Sequence, residues 1–237
     1  MMGALRTWAA RAVETLDDPR TDDAVIVASL RDIARINRMF GGARAAVRRL
    51  DEFLALAPRG ATLTLLDVGT GAGDLPRAAL RRARSRGITL RLVGLERHPA
   101  AARAARAGGD LAAIIADGGR LPLRARSVAL VLCAKLLHHL PGAPGTRLLA
   151  EMDRVARLGV VVADIHRSTL AAAGLWLASF PLGFHPATRH DGVISVFRGF
   201  SPAELRAACA AARVAATVKS HPGFCLTASW RPADGPA

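Results

Sequence analysis

Leu65-Leu66-Asp67-Val68-Gly69-Thr70-Gly71-Ala72-Gly73-Asp74 is the stretch from which the fold can be read. The apolar run from Leu63 is short and ends at a glycine cluster, the pattern of a strand covered on both faces. The chain then turns through Gly69, Gly71 and Gly73 into a helical run from Leu75 to Arg86. Glycines at alternating positions permit backbone angles closed to other residues and let a ligand approach without meeting a Cβ. The helix behind them begins with unpaired N–H donors. Such a turn makes a nucleotide-sized pocket at the carboxyl end of a strand.

The spacing decides what kind of nucleotide. A dinucleotide site needs G-x-G-x-x-G, its third glycine packing helix on strand while a diphosphate sits on the helix end. Here the pattern is G-x-G-x-G followed by Asp74. An acid at the helix entrance repels a pyrophosphate but suits an ammonium or a sulfonium. The stretch resembles the first motif of the class I S-adenosylmethionine (SAM)-dependent methyltransferases, close to L-D-x-G-x-G-x-G. The resemblance extends over about residues 60–165 and is looser in the flanks. It implies SAM as cofactor, with Asp67, Gly69, Thr70, Gly71 and Gly73 around its amino acid part.

Working outward, strand and helix alternate. Apolar strands are expected over 89–95, 111–116, 128–132 and 159–165, with helices over 100–107 and 146–157. This rhythm predicts an α/β fold with a parallel sheet wrapped by helices and right-handed crossovers. Ser201-Pro202-Ala203-Glu204 is a capping box opening a helix to Arg213. Two closing strands follow, 214–220 and 224–230. By the resemblance the whole is a Rossmann-like, seven-stranded, mostly parallel sheet whose last strand is antiparallel.

Residues 1–58 read as helices broken at Asp17-Asp18-Pro19, the second running from about Asp22 to Phe40 and the third from Ala43 to Leu56. In the second, Val25, Leu30, Ile33, Ile36 and Phe40 recur near helical spacing. Similar methyltransferases carry an N-terminal helical cap over the pocket. By that resemblance Asn37, Arg38 and Phe40 border the substrate. A hairpin that merely covers one sheet edge is the alternative. The expected organisation is a cap over 1–58 and a SAM-binding domain over 59–237, forming one compact unit. Ser168 to Thr188 carries no formal charge. Pro181, Gly183, His185 and Pro186 interrupt it, so a lid over 168–200 is expected rather than a membrane span. The tail from Arg231 is expected to fray.

Glu96 ends the second strand, where a carboxylate can accept from both ribose hydroxyls. Arg97 follows it. Asp117 ends the third strand, and Ala116-Asp117-Gly118-Gly119-Arg120-Leu121-Pro122-Leu123 resembles the family's adenine segment, A-D-A-x-x-L-P-F. The resemblance implies that Asp117 accepts from the adenine amino group and that the Gly118 N–H donates to the ring.

The fourth strand leads into Leu132-Cys133-Ala134-Lys135-Leu136-Leu137-His138-His139-Leu140. This is similar to the D-x-V-x-x-x-x-x-L-H-H segment of the ubiquinone-biosynthesis group, although Val128-Ala129-Leu130 stands where that group has its aspartate. The resemblance puts Lys135 at the cofactor. His138 is expected to pack inward and His139 to face the cavity as a general base. His166 is a second base candidate, with Asp164 as its orienter, and His190-Asp191 is a polar pair that closes on substrate. No metal site is expected, because nothing like H-E-x-x-H or paired cysteines occurs.

The charge balance brings in other classes. Net charge is +14, and all but two of the cationic residues, Lys135 and Lys219, are arginine. Such charge attracts nucleic acid or an anionic membrane. Yet the arginines are scattered, there is no tyrosine, and aromatics are only 4%, so base-stacking platforms are scarce and no nucleic acid is expected. Peripheral contact with a membrane stays open. Cys133, Cys209 and Cys225 lack metal spacing and read as reduced packing residues. Met1 to Ala12 does not read as a signal peptide, and a cytoplasmic protein is expected. The expected activity is methyl transfer to a small hydrophobic acceptor: O-methylation of a phenol, quinone-like or polyketide compound, or C-methylation of a similar ring. A nicotinamide-dependent oxidoreductase and a basic nucleic-acid binder are the competitors from other classes.

Overall fold

The computed structural model describes residues 2–18 and 20–233. Pro19 of the expected helix break, and the end of the tail (234–237), lie outside the described residues.

Helices α1 (Met2–Arg11), α2 (Asp23–Met39) and α3 (Gly42–Leu54) precede strand β1 (Thr62–Val68). Then follow α4 (Asp74–Ser85), β2 (Thr89–Glu96), α5 (Pro99–Arg106), β3 (Leu111–Ile115), β4 (Val128–Ala134), α6 (Ala143–Val155) and β5 (Ala156–Ile165). The chain closes with α7 (Thr169–Ser179), α8 (Pro186–Arg198), α9 (Pro202–Ala211), β6 (Thr217–His221) and β7 (Cys225–Trp230). Single 3-10 turns lie at Thr15–Asp17 and Leu137–His139.

The strands form one sheet in the order β3-β2-β1-β4-β5-β7-β6. The first five pair in parallel, while β7 runs antiparallel to both β5 and β6. This is the Rossmann-like arrangement expected from the sequence. Successive side chains of a strand point to opposite faces. Leu65 therefore joins Leu50, Leu54, Ala79 and Ala83 of α3 and α4, whereas Leu66 and Val68 join Leu148, Leu149, Met152 and Leu205 of α6 and α9. All three β1 residues are fully buried, which is why the strand reads as a continuous apolar run. Phe53 of α3 lies on the Gly159 backbone, where a Cβ would come within 2.5 Å of its ring, so α3 belongs to the layer covering the sheet.

Some boundaries differ from the expectation. Helix α6 runs 143–155, not 146–157: Pro144 sits in its first turn, and Ala156 is already extended at ψ 148°. Val155 and Ala156 are both buried in the α6 core, so the chain enters β5 without a loop. The charge-free stretch becomes two helices, α7 and α8, joined around Gly183 at φ +63°. No described helix is long and apolar enough to cross a membrane.

Strand order reverses at β1, which has β2 on one side and β4 on the other. At such a switch point the carboxyl ends of the strands diverge and leave a crevice. Helices α2, α7 and α8 lie over it and turn it into a cavity.

Candidate active site

The cavity has a volume of about 510 Å³. One end is the β1 turn. Gly69, Gly71 and Gly73 adopt φ of +74°, +51° and +76°. A Cβ on Gly71 would stand 3.1 Å from Leu30 of α2, and one on Gly69 would stand 3.0 Å from Leu136. These two positions form a backbone cradle that side chains would fill. Gly73 does not line the cavity. It is the N-cap of α4, with Arg77 close against it, so its positive φ serves the helix start.

Glu96 ties the neighbouring corner together. Its Oε2 accepts from the Gly71 N–H at 3.0 Å and its Oε1 from the His98 N–H at 3.1 Å. Asp117 sits exposed at the rim and accepts from the Gly119 N–H at 2.8 Å, with Gly118 beside it on the wall. Arg97 and Lys135 also line the cavity. Burial lowers the Lys135 ammonium, against the pull of Cys225, Asp164 and Asp74. Lys135 itself holds a positive φ of 52°.

Asp67 lies under the glycine turn. Its Oδ1 and the Thr70 Oγ1 are buried with no hydrogen-bond partner among the described residues. Burial, opposed by the adjacent Thr70 hydroxyl and reinforced by Asp74 and Glu96, pushes the Asp67 carboxyl up to about 7. Two unsatisfied polar atoms beneath a backbone cradle, with carboxylates at 67, 74 and 96 around it, suit a polar, cationic nucleoside. The donor set therefore fits SAM.

The other end of the cavity is built by residues far apart in sequence. The 3-10 turn after β4 brings His138 and His139 to the wall, their rings 4.2 Å apart. His138 is buried, its Nδ1 2.6 Å from Asp164 Oδ1. Its Nε2 has no partner among the described residues. Burial would raise the Asp164 carboxyl, but His138 and the Ile165 N–H hold it below its usual range. The His139 Nδ1 lies 3.2 Å from Asp17 Oδ2, and its Nε2 lies 3.8 Å from Glu14 Oε2. The His139 bond keeps Asp17 ionised, its carboxyl lowered despite partial burial.

Glu14 is buried too, and burial raises its carboxyl although His139 and Arg198 pull the other way. Arg198 Nη1 lies 3.0 Å from Glu14 Oε1, and the Ser195 hydroxyl donates to Glu14 at 3.0 Å. On the other side, Arg97 bonds Asp17 at 3.1 Å. The helical cap, the cofactor corner and the histidines are thus one polar network.

The roof is apolar. Ile26, Leu30, Ile33, Ile36 and Phe40 of α2 and its C-cap face the cavity, with Leu170 and Leu175 of α7 and Val196 of α8. Of the recurring face of α2, Leu30, Ile33, Ile36 and Phe40 line the cavity and Val25 does not, while Ile26 and Leu30 also pack on Ala100 and Ala101 of α5. Asn37 lines it as well and donates to Asp74 Oδ2 at 3.3 Å.

Besides Gly73, three residues singled out from the sequence fall outside the cavity lining. Arg38 is exposed, one position round α2 from the buried Asn37. His166 extends the sheet, bridging Phe200 and giving its N–H to Phe224, and Asp164 serves His138 instead. His190 turns outward on α8, exposed, with its Nδ1 2.9 Å from Asp191. Sequence reasoning passed over Glu14, Asp17, Ser195 and Arg198. Only the acids left a signal, two carboxylates in a short non-helical break.

Residues 66–163 match the family model of a methyltransferase domain. No curated protein matches the chain significantly. Among solved structures, a SAM-dependent methyltransferase from Aquifex aeolicus is 16% identical, with TM-score 0.56, over 82% of this chain and 95% of its own. An O-methyltransferase family protein from Burkholderia thailandensis is 13% identical, with TM-score 0.65, over 99% and 69%. Human N-acetylserotonin methyltransferase in complex with SAM is 12% identical, with TM-score 0.65, over 97% and 66%. At these identities the likeness is one of fold.

Proposed function

We propose that the chain is a class I SAM-dependent methyltransferase, which its methyltransferase-domain match and its fold support, and that it methylates a hydroxyl of a small apolar acceptor held beneath α2, α7 and α8. Bound in the glycine cradle, SAM supplies an electrophilic methyl group on a sulfonium. Everything else falls to the chain's own residues: holding the acceptor, excluding water and taking a proton.

One observation carries the reading. The cavity that begins at the Gly71 cradle ends, under an apolar roof, at two imidazoles whose Nδ1 atoms are each held by a carboxylate. A histidine that donates Nδ1–H to a carboxylate presents a lone pair on Nε2, the geometry of a general base. His139 is the partly open member of the pair and is assigned the acceptor proton. His138, fixed by Asp164, sets the position of the turn that carries both. Asp17 orients His139 and, through Arg97, links that orientation to the cofactor corner. The roof desolvates the acceptor and holds it in a near-attack pose.

The fold shared with O-methyltransferases supports oxygen as the acceptor atom. C-methylation of an electron-rich ring needs the same base and is the second reading. In this scheme the cap over 1–58 and the lid over 168–200 enclose a phenolic, quinone-like or polyketide compound of secondary metabolism. The three buried free cysteines suit a reducing cytoplasm. The glycine spacing together with the family match displaces the nicotinamide reading.

The test is formation of S-adenosylhomocysteine with SAM and a panel of hydrophobic phenols and quinols. Turnover that falls about 100-fold or more in His139→Ala, with SAM affinity kept, supports the assignment. Turnover of charged acceptors alone rejects it.

A further inference from the structure

We infer that Glu14, His138 and His139 form a binding site for a divalent transition-metal ion at the acceptor end of the cavity. The ligand atoms these residues offer all lie within 4.8 Å of one another. They come from the break after α1 and from the 3-10 turn after β4, so the fold rather than the sequence brings them together.

Three features distinguish the cluster from a chance grouping of polar side chains. Both imidazoles have Nδ1 against a carboxylate, Asp164 at 2.6 Å and Asp17 at 3.2 Å. Metal-ligating histidines characteristically carry this outer contact, which fixes the tautomer and makes Nε2 the better donor. The His138 Nε2 is buried and has no hydrogen-bond partner among the described residues, which leaves its lone pair unused. Glu14 is buried, and Arg198 holds Oε1 while Oε2 is the oxygen nearer His139. The Ser195 hydroxyl lies 3.0 Å from both oxygens, so Oε1 has two partners and Oε2, with Ser195 alone, keeps a lone pair on the side of His139.

Glu14, Asp17 and Asp164 surround the cluster, and Arg198 and Arg97 are paired with the first two. Two imidazole nitrogens and one carboxylate oxygen suit zinc, cobalt, iron or nickel better than magnesium or calcium. Ligand bonds of about 2.0–2.2 Å require the three side chains to close inward slightly. Three protein ligands leave positions open. With an ion bound, the His139 Nε2 is a ligand and not the base assigned above; an acceptor hydroxyl at an open position would instead be acidified by the ion and lose its proton to water. The binding claim itself does not depend on that step.

The experiment is titration of the full-length, tag-free chain with Co²⁺ after chelator treatment, followed by visible absorption and equilibrium dialysis. One ion per chain, with absorption typical of nitrogen and oxygen ligands, is expected. His139→Gln and Glu14→Gln should each weaken binding by about tenfold or more, and Asp164→Asn by about 10–100-fold through its hold on His138. SAM affinity measured on the same samples reports that each variant is folded. Lack of saturable one-to-one binding overturns the inference, as does unchanged affinity in folded His139→Gln and Glu14→Gln proteins. Acceptor turnover by metal-free enzyme scores the methyl-transfer reading separately, since cobalt binding is read without any acceptor.

Discussion

Glu96 Oε2 accepts the backbone N–H of Gly71 at 3.0 Å. This bond crosses from the end of β2 to the turn after β1, so the acid expected to hold the ribose also braces the loop expected to hold the amino acid part. Glu96→Gln keeps a carbonyl acceptor for Gly71 but loses the charge. It should weaken SAM binding by about 10–100-fold, the usual range for a charged hydrogen bond of 1.5–3 kcal/mol. Glu96→Ala should weaken it further, because the loop loses its brace. Calorimetric titration with SAM measures both, and equal effects of the two substitutions would refute the bracing role.

Gly71 also separates folding from binding. Its φ of +51° costs a non-glycine residue about 1–2 kcal/mol. A Cβ there would stand 3.1 Å from a flexible Leu30 methyl group, which can yield. Gly71→Ala should therefore fold with Tm lowered by about 2–8 °C. It should also lose most SAM affinity, since the methyl group projects into the cradle. A melting curve with and without SAM shows both effects: the ligand-induced rise in Tm should disappear while the two-state transition stays.

Asp67 gives the chain a dependence on pH. Its carboxyl is raised from an ordinary 3.8 to about 7. Below pH 3.8 folded and unfolded states both carry the proton; between that value and about 7 only the folded state does. Stability from this group is thus complete at low pH and lost as pH rises through about 7. Asp67→Asn should remove that loss and raise Tm at pH 8 relative to wild type. A cation bound beside Asp67 favours the ionised form, so wild-type SAM affinity should rise with pH, by up to about tenfold per unit below 7. In Asp67→Asn that slope should vanish. A slope that persists would assign it to another group.

Asp164 is the positioning residue of the histidine turn. Its Oδ2 accepts the His138 backbone N–H at 3.2 Å while Oδ1 holds the ring. Asp164→Asn retains the shape but presents an amide to Nδ1. Because that loosens the turn that places His139, it should lower kcat by up to about 100-fold and leave SAM affinity within about twofold. An unchanged kcat would mean that His138 does not set the position of the base.

What the sequence disclosed and what it hid divide along contact range. The β1 turn, Glu96 and Asp117 were legible because each sits at a strand end, and strand ends in a parallel sheet share one rim by topology. The acceptor end was not. Glu14 and Asp17 lie in a short break whose side chains take their meaning from Arg198 and His139, more than a hundred residues on. His166 and Asp164 looked like partners because they are two residues apart in sequence, but a buried carboxylate bonds what lies across the sheet edge, and that is His138. Adjacent histidines carry no metal signature until a third ligand arrives from another segment, and Glu14 lies more than a hundred residues away from them.

The same distinction makes the roof testable. Leu30, Ile33 and Ile36 have the periodicity of a core-facing stripe, yet each is only half-buried and lines the cavity. Leu30 also packs on the α5 alanines, and on the proposed reading the apolar surface of Ile33 and Ile36 meets the acceptor. Ile36→Asn therefore removes little packing and should lower Tm by no more than a few degrees. It leaves the glycine cradle and both histidines in place, so SAM affinity should hold within about twofold. The acceptor loses a desolvating contact of about 1–3 kcal/mol in ground and transition states alike. That raises KM by about 10–100-fold with kcat nearly unchanged. The reverse pattern, unchanged KM with a large loss of kcat or of folding, would place the acceptor elsewhere and return α2 to a purely structural role.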